Sequence, residues 1–266
     1  MTTSQYIFTD AQRSREWERL QAIEQIFDPA SQRRIQLTGM TQRWRCLEVG
    51  AGAGSITRWL AAAVGEDGHV TAVDLDTRFV ADLKQPNIEV LEADIRQVPL
   101  EEDAFDLVHA RCVLIHIADF QAALTRMVQL LKPGGWMVLE EPDFSAARAV
   151  VGEPAACEAV ERVNQAILQM FADRGMDSAL GIKLPDIVRR LGLQQRCVEN
   201  EALLTNGGWG VATMMKMSTL QLAEKYIATG AATQKDLEEY CQFAENQSAW
   251  AIYHAMIGVV AQKAIG

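Results

Sequence analysis

The sequence predicts an α/β protein, a doubly wound parallel sheet with helices on both faces, led in by a helical segment and extended by helical insertions. Three observations carry that prediction. Short apolar runs alternate with amphipathic stretches five times in roughly 100 residues, the pattern of parallel strands joined by crossovers. A glycine-rich run, Gly50-Ala51-Gly52-Ala53-Gly54, separates the first strand from the helix that follows it. After Pro142 the pattern changes to long helical runs interrupted by two late strands.

From Asp10 to about Leu37, Trp17, Leu20, Ile23, Ile26 and Phe27 recur at helical spacing. Pro29 should break or kink that stretch, giving one or two lead-in helices. Arg45 to Gly50 is the first strand, and Ser55 to Val64 returns to helical character, closed by Gly65. His69 to Asp74 is the second strand. A short helix capped by Thr77 follows it and ends before Pro86. Ile88 to Leu91 and Phe105 to Ala110 are the third and fourth strands. Asp119 to Leu131 is an amphipathic helix stopped by Lys132-Pro133-Gly134-Gly135, and Trp136 to Glu140 is the fifth strand.

Glu153 to Arg174 reads as a long helix, with Pro154 in its first turn and Gly175 just past its end. Pro185 to Leu191 is a shorter helix ended by Gly192, and the stretches Leu193 to Leu204 and Ile252 to Lys263 are strands. The segment between them, Thr205 to Ala251, is Met-rich and helical, with Thr233 and Asp236 spaced as a capping box. The predicted organisation is one domain over residues 1–266. It comprises a helical segment at 1–40, a ligand-binding core at 41–142, helical insertions at 143–192 and 205–251, and a final strand at 252–264.

Composition narrows the function. The formal charge is −10, from 35 acidic and 25 basic residues, with no basic run. Nucleic-acid binders neutralise phosphates with clustered Lys and Arg, so no nucleic acid is expected as partner. The five cysteines are scattered with no C-x-x-C pair, the usage of a reducing compartment. Four histidines without H-x-x-x-H spacing give no built-in metal site. The N-terminal stretch is polar, and no apolar run approaches the roughly 18 residues of a membrane span. A cytoplasmic protein is expected.

Glycines at the end of a first strand let the backbone turn sharply and approach a ligand closely. Asp74 ends the second strand, where a carboxylate can accept from a ribose diol, and Asp94 follows the third, within reach of an adenine amino group. One nucleoside is thus addressed from three consecutive strand ends. The dinucleotide fingerprint G-x-G-x-x-G aims a helix N-terminus at a pyrophosphate. Here the glycines are spaced G-x-G-x-G, with the acid Glu48 just before them. That suits S-adenosylmethionine, which has no phosphate and carries an ammonium and a sulfonium.

The segments LEVGAGAGS, VTAVDLD, EADI, FDLVHAR and LLKPGGWMVLEE, over about residues 44–142, resemble the successive motifs of class I S-adenosylmethionine-dependent methyltransferases, most of all the UbiE-like small-molecule group. The resemblance implies a seven-stranded, mostly parallel sheet of order 3-2-1-4-5-7-6 with one antiparallel strand. It implies that Gly50, Ala51 and Gly52 lie along the methionine moiety and that Glu48 reaches its amino group. Asp74, with Leu75 beside it, holds the ribose. Asp94 and the Ile95 backbone meet the adenine, and the backbone near Arg111 faces the methionine carbons. The likeness weakens after Pro142.

Methyl transfer is an in-line displacement, and a neutral amine or stabilised carbanion needs no fixed catalytic group. A hydroxyl or carbon acid needs a general base. Glu141, at the exit of the fifth strand, is the candidate base, with Asp143 as its neighbour. Tyr6 and Arg19 are candidates to close over the cofactor, whereas His109 and His116 read as structural. Met214, Met215, Met217 and Trp209 offer an adaptable apolar lining for a small, partly apolar acceptor. Two other functions stay open on the same fold: a nicotinamide-dependent oxidoreductase, against which Glu48 and the glycine spacing weigh, and a non-catalytic cofactor-binding protein.

Overall fold

Seven strands form the main sheet of the computed structural model, which describes residues 7–8, 13–83 and 85–265. In chain order these are β1 (Arg45–Val49), β2 (His69–Asp74), β3 (Ile88–Glu92), β4 (Phe105–Arg111), β5 (Leu131–Asp143), β7 (Gln194–Glu201) and β10 (Ala255–Gln262). Three more, β6 (Arg148–Val151), β8 (Leu204–Asn206) and β9 (Trp250–Ile252), make a small sheet of order β6-β9-β8. The helices are α1 (Arg13–Gln36), α2 (Ser55–Val64), α3 (Phe120–Leu130), α4 (Pro154–Ala172), α5 (Leu180–Arg190), α6 (Gly210–Ala228) and α7 (Gln234–Phe243).

The main sheet runs β3-β2-β1-β4-β5-β10-β7. Counted within this sheet, β7 is sixth and β10 seventh, so the expected order 3-2-1-4-5-7-6 holds. β1 pairs in parallel with β2 and β4, β2 with β3, and β4 with β5. The last strand reverses. Gly134 N–H donates to Lys263 O and Lys263 N–H donates to Gly135 O, tying the start of β5 to the end of β10. Lys132–Gly135 therefore belong to a strand as well as stopping α3.

The chain divides into two compact units. The sheet unit comprises Phe27–Glu141, Lys183–Glu199 and the chain from Ile257 onward. Its central strands are covered on both faces, which is why Cys46–Val49 and Val70–Val73 read as nearly unbroken apolar runs. α2 buries Ile56, Thr57, Leu60, Ala61 and Val64, one helical stripe. That stripe joins Leu107, Val138 and Val260 in a single apolar cluster. Each fully buried aliphatic side chain there contributes roughly 1.5–3 kcal/mol.

The helical unit comprises the chain up to Ile26, Pro142–Ile182 and Asn200–Met256. In it α4, α6 and α7 pack against one another. The capping box at Thr233 and Asp236 forms as expected, each residue's side chain bonding the other's backbone N–H.

Several local expectations are refined or corrected. Among the described residues no helix separates β2 from β3. Residues 78–82 form turns, because Val80 and Ala81 N–H both bond Thr77 O and the Thr77 hydroxyl donates to Glu92 instead of capping. β3 is likewise followed by turns, so fewer helices separate the strands than the five alternations implied. Of the one or two lead-in helices expected, one forms: α1 runs unbroken through Pro29, and its second half is anchored by Asp28, Ser31 and Arg34. α5 begins at Leu180 and not at Pro185. The late strands also split, β7 from β8 and β9 from β10, and β6 was not foreseen. Runs of three or four residues carry too little periodicity to be read.

Candidate functional site

The loop after β1 is built on left-handed glycines. Gly50, Gly52 and Gly54 have φ of 73°, 56° and 86°. At Gly50 a side chain has no room, since a Cβ would sit 2.2 Å from Val113 Cγ2. The Gly50 N–H is committed to Val73 O at 2.8 Å, which ties the turn to β2. The backbone is thus free to meet a ligand where any other residue would be strained.

Asp74 stands at the tip of β2. Its Oδ2 accepts from Gly52 N–H at 3.1 Å and its Oδ1 from Asp76 N–H at 3.0 Å. Burial pushes its pKa up and these two N–H groups pull it down, with a net upward shift. The neighbouring Leu75 is 45% exposed, an apolar surface beside the carboxylate. Asp94, after β3, is held by Arg96, whose Nη2 lies 2.6 Å from Oδ2 and whose backbone N–H reaches Oδ1. That guanidinium keeps the Asp94 carboxyl below its ordinary range. Ile95 between them is buried.

Glu48 is nearly buried and faces inward, into a chain of charges. The register sets Glu48 opposite His109 across β1 and β4, and Arg111 opposite Glu140 across β4 and β5. His109 Nδ1 lies 2.7 Å from Glu48 Oε2, and its Nε2 3.4 Å from Glu140 Oε1. Glu140 also meets Ser31 Oγ at 2.9 Å and Arg34 Nη1 at 3.1 Å. Arg34 continues to Glu199 at 2.8 Å. Burial alone would favour neutral His109, but the two carboxylates outweigh it and raise its pKa to about 9. Burial opposes the charge of Glu140 too, yet His109, Arg111 and Arg34 prevail and its pKa falls.

Glu141, the expected general base, has another occupation. It is fully buried, and its carboxylate accepts from the backbone N–H groups of Val113, Leu114 and Ile115 at 2.9, 2.8 and 3.2 Å. Burial raises its pKa to about 7 against the pull of those three bonds. It shapes the 3-10 turn Leu114–His116 after β4, where backbone N–H groups engage three of its acceptor positions. The Arg111 side chain turns away from the loop, to Asp28 and Ser31 at 2.9 Å each. Asp143 lies in the helical unit and holds Ser145.

Arg19, also in the helical unit, forks onto Glu16 and lies over the Phe8 ring. Tyr6 falls outside the described residues. In α6, Met214 and Met215 are buried, while Trp209 before it is 67% exposed and donates to Asn206. Sequence reasoning missed the part played by His109, read as merely structural, and by Asp28, Ser31 and Arg34. The signal was present for the latter, since spacings of three place all of them on one face of a helix. For His109 it required knowing that β1 and β4 are neighbours. Among the described residues no cluster of three or more His, Cys, Asp or Glu is placed to hold a metal, and no helix is long and apolar enough to cross a membrane.

Comparison with known proteins agrees with this layout. Residues 47–139 match the model of a family described as a methyltransferase domain, and that segment is such a domain. A Strobilurus tenacellus protein named methyltransferase str2 is 31% identical over 138 residues, covering 50% of this chain and 48% of the relative. A Staphylococcus aureus demethylmenaquinone methyltransferase is 32% identical over 108 residues, covering 39% of this chain and 45% of the relative. The chain thus spans about half the length of the curated relatives it matches. A Haemonchus contortus phosphoethanolamine N-methyltransferase 2, solved with S-adenosyl-L-methionine, shares the fold with a TM-score of 0.61 at 18% identity, over 99% of this chain and 60% of that one.

Proposed function

We propose, taking residues 47–139 as a methyltransferase domain, that the chain moves the methyl group of S-adenosylmethionine onto a small, partly apolar organic molecule in the cytoplasm. One observation carries the proposal. Three acids, Glu48, Asp74 and Asp94, stand at the neighbouring ends of β1, β2 and β3, beside a left-handed glycine turn with no room for a side chain. That acceptor set fits the cofactor. Acids accept from an ammonium, a ribose diol and an exocyclic amine, and they repel a pyrophosphate.

In this reading Glu48 accepts from the ammonium group and Asp74 from the ribose. Leu75 and Ile95 flank the adenine, whose amine meets the lone pairs that Arg96 leaves on Asp94. Gly50, Ala51, Gly52 and the Arg111 main chain run along the methionine moiety. The bound cofactor supplies an electrophilic methyl group. The protein's share is to hold the acceptor in line with it, an orientation worth roughly 7–11 kcal/mol in favourable cases. With Glu141 committed to backbone N–H groups, the acceptor is one that gives up no proton to that residue.

Asn164 on α4 is 5% exposed, and among the described residues neither end of its carboxamide has a partner. Such a group in an apolar helix face is costly unless something bonds it. The free state of all five cysteines supports a reducing compartment.

Calorimetry with S-adenosylhomocysteine and NAD, followed by incubation of labelled S-adenosylmethionine with a metabolite extract and mass spectrometry, tests the proposal. Binding of the first ligand and label on a small product are expected. Binding of NAD alone would put the nicotinamide oxidoreductase in its place, and S-adenosylhomocysteine binding without transfer would leave a non-catalytic cofactor-binding protein.

A further inference from the structure

We propose that His109 is a positioning residue for the cofactor: as an imidazolium donating to Glu48 and Glu140 at once, it holds the Glu48 carboxylate in place for the cofactor's ammonium group. This rests on the cofactor role given to Glu48 above. Both ring nitrogens of His109 face carboxylate oxygens, at 2.7 Å and 3.4 Å, and the residue is fully buried. A neutral imidazole has one N–H and one lone pair. Either tautomer would therefore aim a lone pair at a carboxylate, with no water to screen the repulsion. With both carboxyls ionised, only the doubly protonated ring satisfies both neighbours.

Charge balance points the same way. The groups that face this ring or its partners are Glu48 from β1, Glu140 from β5, Arg111 from β4, and Asp28 and Arg34 from α1. Glu199 of β7 closes the outer end by pairing with Arg33 and Arg34. The inner set holds the acids Asp28, Glu48 and Glu140 against the bases Arg34 and Arg111, and it is neutral only when His109 carries a charge. Cys46, on the same strand as Glu48, adds none, since burial pushes its thiol far up.

Glu48 spends Oε2 on the ring, and Oε1 has no protein partner among the described residues. One oxygen is thus fixed and the other remains for a cation. Without the imidazolium, Glu48 would be a buried charge opposite Glu140, free to rotate or to take up a proton. Either change removes the acceptor that an ammonium needs.

Two measurements test this. In wild-type protein at pH 7.5, 15N NMR of the His109 ring should show both nitrogens protonated. Calorimetry then compares S-adenosylhomocysteine with 5′-methylthioadenosine, which keeps the nucleoside and lacks the amino-acid tail. H109Q, H109F and E48Q should each weaken S-adenosylhomocysteine by about tenfold or more, as expected for a lost hydrogen bond to a charged group, and leave 5′-methylthioadenosine within about twofold. A neutral ring in the wild type overturns the proposal, a result that needs no variant to fold. So does a loss in E48Q that neither His109 variant shares, or an equal loss of both ligands in the His109 variants. Unchanged S-adenosylhomocysteine affinity in E48Q would instead overturn the cofactor role of Glu48 itself.

Discussion

Replacing Gly50 with alanine tests the loop at its tightest point. Two costs add. An alanine at φ 73° pays for the left-handed region, roughly 1–2 kcal/mol. Its Cβ would also sit 2.2 Å from Val113 Cγ2. Val113 cannot simply withdraw, because its own N–H is held by Glu141 Oε1 at 2.9 Å. Overpacking of that kind costs about 1–3 kcal/mol. G50A should therefore lose about 2–5 kcal/mol in denaturant unfolding, and S-adenosylhomocysteine affinity should fall with it in calorimetry. Adding V113A removes the clashing methyl and leaves only Val113 Cβ, at an ordinary 3.5 Å from the new atom. The double variant should recover the overpacking share and keep the left-handed cost, a coupling of at least about 1 kcal/mol. If G50A unfolds within about 0.5 kcal/mol of wild type, or if the two substitutions simply add, the steric account of this turn is wrong.

Three further outcomes are expected. D74A should weaken S-adenosylhomocysteine by about tenfold to a hundredfold, a lost pair of charge-assisted bonds, and should also lower the melting temperature because it bares the Gly52 and Asp76 N–H groups; undiminished binding would remove Asp74 from the site. E141A strips the acceptor from three backbone N–H groups, each worth roughly 1–3 kcal/mol when left bare and buried, so chemical denaturation should show a loss of at least about 3 kcal/mol. Finally, the folded pKa of His109 near 9 exceeds the ordinary 6.5. Its protonation contributes stability that is fully present below about pH 6.5 and is lost as pH rises through about 9. Denaturation midpoints between pH 6 and 10 should fall accordingly in wild type, and H109Q should lack that component.

Much of the layout of the candidate site was legible because its signals are local. The glycines at 50, 52 and 54 and the acid two residues before them are readable within one strand-turn-helix unit, and Asp74 from the end of the next strand. Helix caps were equally readable, since the Thr233–Asp236 box needs only three residues of context. Where neighbours compete for a group, local reading failed. Thr77 has the residue type of a cap, but Glu92 takes its hydroxyl at 2.7 Å, and no helix forms. Glu141 has the position of a base at a strand exit, but three N–H groups from the next loop occupy it.

By itself, then, the sequence determined the alternation of strands and helices, the glycine turn, and the placing of three acids at neighbouring strand ends. These depend on period and on backbone conformation, which adjacent residues set. Only the tertiary structure decided which charges meet. Glu48 and His109 are 61 residues apart, and Arg34 and Glu140 are 106 apart. What joins them is strand order and register, settled when β1 takes its place between β2 and β4 and the second half of α1 docks its polar face on the buried carboxylates. A residue type states which bonds a side chain can make, and packing alone selects the partner.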